Sequence, residues 1–117
     1  MAIAAAQNLT ESRFRALAAH IFQRVLKGFD PVDPDVAEAE EALGTLTIRL
    51  SDGSRWILSV QPPARQIWLA VASLGRAYHF DFNPTDESWR DSKDPHSELL
   101  AKLSALVHEV AGVDIRF

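Results

Sequence analysis

The stretch Thr45-Leu46-Thr47-Ile48-Arg49-Leu50-Ser51-Asp52-Gly53-Ser54-Arg55-Trp56-Ile57-Leu58-Ser59-Val60-Gln61 decides the fold class. Its first six residues alternate strictly, which puts Leu46, Ile48 and Leu50 on one side of a strand and the polar residues on the other. Asp52-Gly53 is a hairpin turn signal, and Arg55 to Gln61 reads as the returning strand. Pro62 and Pro63 interrupt the pattern. Gln66 to Val71 then predicts a third strand, Arg76 to Phe82 a fourth, and Trp89 lies in a short fifth segment.

Outward from this block the period changes. On the N-terminal side, Phe14, Leu17, Ala18, Ile21, Phe22, Val25 and Leu26 recur at three- and four-residue steps and predict a helix from about Thr10 to Lys27. Thr10 or Asn8 can cap it, and Gly28 suits the position just past its end. On the C-terminal side, Asp94-Pro95 is expected to open a second helix with Leu99, Leu100, Leu103, Leu106, Val107 and Val110 on its apolar face and Gly112 at its end. Val113 to Phe117 would add a terminal strand or cover the core.

Residues 33–44 are ambiguous. An N-cap aspartate, a proline at the first helical position, several helix formers and a terminal glycine favour a short helix. The alternation of Ala37, Glu38, Ala39 and Glu40 equally permits an edge strand whose charges block edge-to-edge pairing. Either way the element order predicts an α+β fold. It is a two-layer α/β sandwich with an N-terminal helix, an antiparallel sheet of five to six strands and a C-terminal helix. Residues 9–117 form one domain, and 1–8 are expected to be a poorly ordered tail.

Composition narrows the chemistry. The chain has 117 residues, 47% hydrophobic and 24% charged, as expected of one globular domain. It has no cysteine, which excludes disulfides, thiolate metal sites and a cysteine nucleophile. No apolar run is long enough to span a bilayer, and the alanine-rich start lacks the basic flank of a signal peptide. The expected location is therefore the cytoplasm. Six of the 16 acids (Asp30, Asp33, Asp35, Glu38, Glu40, Glu41) fall between residues 30 and 41, without a base, leaving 10 acids against 12 Lys and Arg elsewhere. Such an acidic edge repels nucleic acid and attracts cations or a basic protein surface.

Two regions could carry function. Strand parity places Thr47, Arg49, Ser59, Gln61, Gln66, Trp68 and His79 on the face opposite the core, and Trp and Arg are enriched at binding hot spots. On the residues alone, a partner-binding face and an indole packed beneath a loop are equal readings. The acidic stretch offers hard oxygen ligands suited to Fe, Mn, Ca or Mg, but no closed metal-binding motif, so a solvated edge is the simpler reading. His20, His96 and His108 read as surface residues. There is no Gly-x-Ser-x-Gly elbow and no phosphate-binding glycine loop, which argues against an ordinary hydrolase, kinase or dehydrogenase.

The strings Leu46-Thr47-Ile48, Asp52-Gly53-Ser54, Gln61-Pro62-Pro63, Gln66-Ile67-Trp68-Leu69-Ala70, Tyr78-His79-Phe80-Asp81 and Trp89-Arg90-Asp91 together resemble the central pattern of the frataxin family. The similarity is greatest to its bacterial CyaY-type members and runs from about Phe14 to Phe117. The resemblance favours a strand over Ala37 to Glu41. It implies a non-enzymatic role in iron handling and iron–sulfur cluster assembly. Iron, ferrous or ferric, would be held weakly and exchangeably on Asp30, Asp33, Asp35, Glu38 and Glu40. Gln61, Gln66 and Trp68, with Ser59, Arg49 and His79 on the same face, would dock on a cysteine desulfurase and its iron–sulfur scaffold protein. The implied state is a monomer that metal can drive into oligomers.

The chain departs from the family pattern in several places. Lys27 and Pro31 stand where the helix end is usually acidic, Ser59 where Asn is frequent, Val60 where a base is frequent, and Gly75-Arg76-Ala77 replaces a paired glycine. Two other readings remain: a weak ferroxidase or iron-storage protein, although no di-iron Glu-x-x-His pair is present, and an acidic protein-interaction domain with no metal role.

Overall fold

A computed structural model describes residues 9–117, so the expected tail at 1–8 lies outside the described residues. Helix α1 spans Glu11–Phe29. The Thr10 hydroxyl accepts from the Arg13 N–H at 3.1 Å, satisfying one of the free donors of the first turn. The helix buries Phe14, Ala18, Ile21, Phe22 and Val25. It runs two residues past the expected end, and Gly28 lies inside it. The glycine is needed there for space, because a Cβ at that position would stand 2.3 Å from the Phe117 ring. Asp30, still helical in its backbone, caps the helix by donating its N–H to the Lys27 carbonyl at 3.2 Å. Pro31 then halts it, having no N–H to carry on the i→i−4 ladder.

The next segment begins a helix and abandons it. The Asp33 carbonyl accepts from both the Val36 and Ala37 N–H groups, and its carboxylate accepts from the Asp35 N–H at 2.9 Å. Strand β1 follows at Ala37–Ala42. The strand wins because Ala37 and Ala39 can turn inward against the core while β1 pairs along β2 (Thr45–Leu50). Local helix propensity, worth a few tenths of a kcal/mol per residue, is outweighed by that pairing. Leu43 and Gly44, both at positive φ, close the hairpin.

Strands β3 (Arg55–Gln61), β4 (Gln66–Val71), β5 (Arg76–Asn83) and β6 (Ser88–Asp91) continue the sheet in the order β1-β2-β3-β4-β5-β6, every neighbouring pair antiparallel. Short 3₁₀ turns at Pro62–Ala64 and Ala72–Leu74 join β3 to β4 and β4 to β5. Helix α2 spans Leu99–Ala111 and closes on Gly112 in the left-handed region.

The expected opening of α2 at Asp94-Pro95 is wrong by several residues. The chain after β6 first folds back on the strand, with the Asp91 N–H donating to the Ser97 carbonyl at 2.9 Å and Arg90 bridging to Glu98. Glu98 is the true cap, its carboxylate accepting from the Leu100 N–H at 2.8 Å and the Ala101 N–H at 3.1 Å. This return also covers the β6 edge of the sheet, which would otherwise present unpaired backbone groups.

Both helices lie on one face. Leu46, Ile48, Trp56, Leu58, Ile67, Leu69, Phe80 and Trp89 pack from the sheet against α1 and α2. Phe14 and Phe82 each meet the Trp89 ring edge-on, at 5.8 and 5.3 Å. Val113 to Phe117 forms no strand. It covers the core instead, with Ile115 buried and Phe117 against Phe29. The opposite face of the sheet is open. Among the described residues no helix is long and apolar enough to cross a membrane.

Candidate functional site

Antiparallel pairing puts directly opposed residues on the same face, so the register writes the open face as rows. One row runs Ser59–Trp68–His79 and the next Gln61–Gln66–Asp81–Arg90. On the other side lies Thr47–Ile57–Ala70–Ala77, and beyond it Glu38–Arg49–Arg55. Trp68 is the centre of this arrangement, 37% exposed although it is among the largest side chains.

Its indole is held from two directions. The His79 ring stacks on it with centroids 4.4 Å apart and planes 15° from parallel. The indole Nε1 donates to Gln66 Oε1 at 2.9 Å, and Gln66 Nε2 donates onward to Asp81 Oδ1 at 3.0 Å. An unheld tryptophan would lose rotamer freedom on binding. This one has already lost it, which lowers the ordering cost of recognition. Gln61 donates to the Ser59 hydroxyl at 3.2 Å, so both face the same surface.

The structure adds residues to the sequence-derived set. Ile57 is 41% exposed beside Trp68, and Ala70 and Ala77 leave a low step next to the indole. Asp81 anchors Gln66. All four share the parity of Trp68, which is the signal that could have selected them, but none is a residue type that draws notice alone.

The acidic stretch is organised differently. Asp30 caps α1, and Asp33 and Asp35 lie in the turn before β1. Glu38 and Glu40 project onto the open sheet face, opposite Arg49 and Thr47, whereas Glu41 has the other parity and is opposite Leu46. Glu40 Oε1 accepts from Arg49 Nη2 at 2.6 Å. That hydrogen bond, and then the arginine charge, hold the Glu40 carboxyl below the ordinary glutamate range. Among the described residues no three acidic or histidine side chains converge as a metal-holding group. A groove of about 430 Å³ opens between the end of α1 and the C-terminal segment, and of the expected iron ligands only Asp33 lines it.

The structure thus brings Ser59, Gln61, Gln66, Trp68 and His79 together. Arg49 stands on the same face but is turned to the acidic edge. Asp30, Asp33, Asp35, Glu38 and Glu40 form a line of charge with no common centre.

Comparison with known proteins accounts for this architecture. Residues 7–113 match the family model described as a frataxin-like domain. The chain is 38% identical over 111 residues to the iron-sulfur cluster assembly protein CyaY of Pseudomonas aeruginosa, covering 93% of this chain and 97% of the relative. It is 38% identical over 112 residues to the protein of the same name in Azotobacter vinelandii, covering 94% and 96%. The solved structure of frataxin from Psychromonas ingrahamii, of the CyaY protein family, superposes with a TM-score of 0.81 at 24% identity, covering 91% of this chain and 95% of that one, and so shares the fold.

Proposed function

The chain belongs to the frataxin-like family, and from that premise we propose that it assists and regulates iron–sulfur cluster assembly by docking on a cysteine desulfurase–scaffold complex. The observation that carries the reading is the immobilised, part-exposed Trp68, stacked on His79 and tied through Gln66 to Asp81 on an otherwise open sheet face. An aromatic side chain already fixed in place, flanked by Ile57 and the low step of Ala70 and Ala77, is the usual anatomy of a binding hot spot. Gln61, Gln66, Ser59 and His79 supply polar contacts around it. The protein acts by binding rather than by turnover, and acts in the cytoplasm.

Iron is the cargo in this reading. Asp30, Asp33, Asp35, Glu38 and Glu40 attract the ion as a line of charge, through exchangeable carboxylate and water ligands, and hold it weakly because no three of them share a centre. The Arg49 contact on Glu40 competes directly with a bound cation. That same contact favours a second reading, in which the edge meets a basic protein patch and carries no metal. Anaerobic ferrous titration followed by NMR separates the two. Broadening confined to residues 30–41 supports iron, and an unperturbed edge supports the second reading.

The docking reading is tested by Trp68→Arg. The exposed position lets the fold survive, and affinity for the purified desulfurase–scaffold complex should fall by about thirtyfold or more, as for a hot-spot aromatic. Unchanged affinity in a folded variant removes the docking model.

A further inference from the structure

Arg49 and Arg55 stand directly opposite each other on β2 and β3. Like charges in that relation repel and weaken a sheet. Only Arg49 gains a bonded partner: Glu40 holds it at 2.6 Å and Glu38 faces it across β1, while Glu40 acts on Arg55 through charge alone. Arg55 is exposed and has neither an ion pair nor a side-chain hydrogen bond among the described residues. The sheet thus gives Arg55 no bonded partner at this register.

The position has a second property. Ser59, the cross-strand neighbour of Trp68, lies on the same strand and the same face as Arg55, about 13 Å further along at 3.3 Å per residue. Ile57 lies between them and is exposed. Arg55, Ile57 and Trp68 therefore form one diagonal across the open face, a cation at one end and apolar contacts beyond it.

We propose that Arg55, with Arg49 beside it, is the docking point for a single carboxylate, an Asp or Glu on the same protein partner that covers Trp68. This inference rests on the Trp68 docking reading and adds the chemistry of the partner's rim. The occupant is a lone carboxylate rather than a polyanion because Glu38 and Glu40 border the arginines. A nucleic-acid or lipid surface laid over the pair would bring its further charges against those glutamates, whereas one carboxylate can sit on the β4 side of Arg55, further from Glu38 and Glu40 on β1. The planar guanidinium suits a carboxylate in two-point contact.

The test is Arg55→Glu, with Arg55→Gln beside it, measured against the purified desulfurase–scaffold complex at low and high salt. Arg55→Glu replaces a repulsive cross-strand pair with an attractive one, so its thermal midpoint should not fall, and weaker binding cannot be ascribed to misfolding. Affinity should drop about tenfold or more for Glu and a few-fold for Gln at low salt, with the loss concentrated in the association rate and shrinking as salt is added. Trp68→Arg, run in parallel, should lose binding at both salt levels. Wild-type affinity in Arg55→Glu alongside lost affinity in Trp68→Arg overturns this inference and leaves the docking reading standing. Wild-type affinity in both removes the two together. Retained affinity for the complex, with loss of binding to a DNA duplex, assigns the pair to a polyanion and also overturns it.

Discussion

The Trp68 face and the acidic edge are neighbours on one sheet, yet they are built on opposite principles. On the face, cross-strand register assembles side chains from β3, β4 and β5, and each restrains the next: His79 stacks on Trp68, Trp68 donates to Gln66, Gln66 donates to Asp81. On the edge, consecutive residues supply the charge, and consecutive residues of a turn and a strand point in different directions. The first arrangement is pre-organised and suits a shape-specific partner. The second is a field, suited to a mobile ion or to steering.

The largest expected effect tests the face. Trp68→Arg should cost about 2 kcal/mol or more of binding to the desulfurase–scaffold complex, measured by calorimetry, while mutation of a single edge acid should cost far less. An edge mutation of equal size would erase the distinction between the two regions.

Next comes Gly28→Ala, which presses a methyl group into the Phe117 ring and toward the Arg116 carbonyl. Loss of about 1–3 kcal/mol of stability by denaturant unfolding is expected. NMR shift changes should gather at the C-terminal segment and the turn of Asp30 to Asp35, sparing Trp68 and His79. Changes that spread to the Trp68 indole would mean the two regions are mechanically coupled.

Gln66→Leu sharpens the comparison further. It frees the indole N–H and leaves Asp81 without its donor, so binding should weaken by about 1 kcal/mol with little change in stability, because the lost bonds lie near solvent. Undiminished affinity would show that pre-organisation of Trp68 does not matter.

The smallest effect belongs to Arg49→Gln. The Arg49 hydrogen bond and charge lower the Glu40 carboxyl in the folded state, so its contribution to stability is complete above the ordinary glutamate range and disappears as pH falls through the depressed folded value. The variant should raise the Glu40 titration midpoint, read by carboxyl NMR, and flatten the acid limb of stability in that window alone. Both groups are exposed, so the change in stability should be slight.

Much of the fold was legible in the residues. Strict alternation located β2, β3 and β4, because a strand buried on one face alone must alternate. The misreadings have physical causes. Gly28 looks like a helix stop by type, but its use is the close approach of Phe117. Asp94-Pro95 looks like a helix start, but backbone bonds from Asp91 to Ser97 hold the chain against β6 until Glu98. Ala37–Ala42 is not among the misreadings: its composition alone permits helix or strand, the family resemblance favours a strand over Ala37 to Glu41, and pairing along β2 makes it one.

The candidate site divides in the same way. Parity alone placed Trp68, His79, Gln66, Gln61 and Ser59 on one face, since side-chain direction in a strand follows from position in the chain. It could not show that His79 lies flat on the indole or that Arg55 faces Arg49, because those facts depend on which residue of the next strand falls opposite. The sequence by itself determined where the acids are concentrated and which side chains face away from the core. Only the tertiary structure decided that the acids share no centre while the Trp68 residues do. Register and turn geometry, not spacing along the chain, bring side chains within bonding distance.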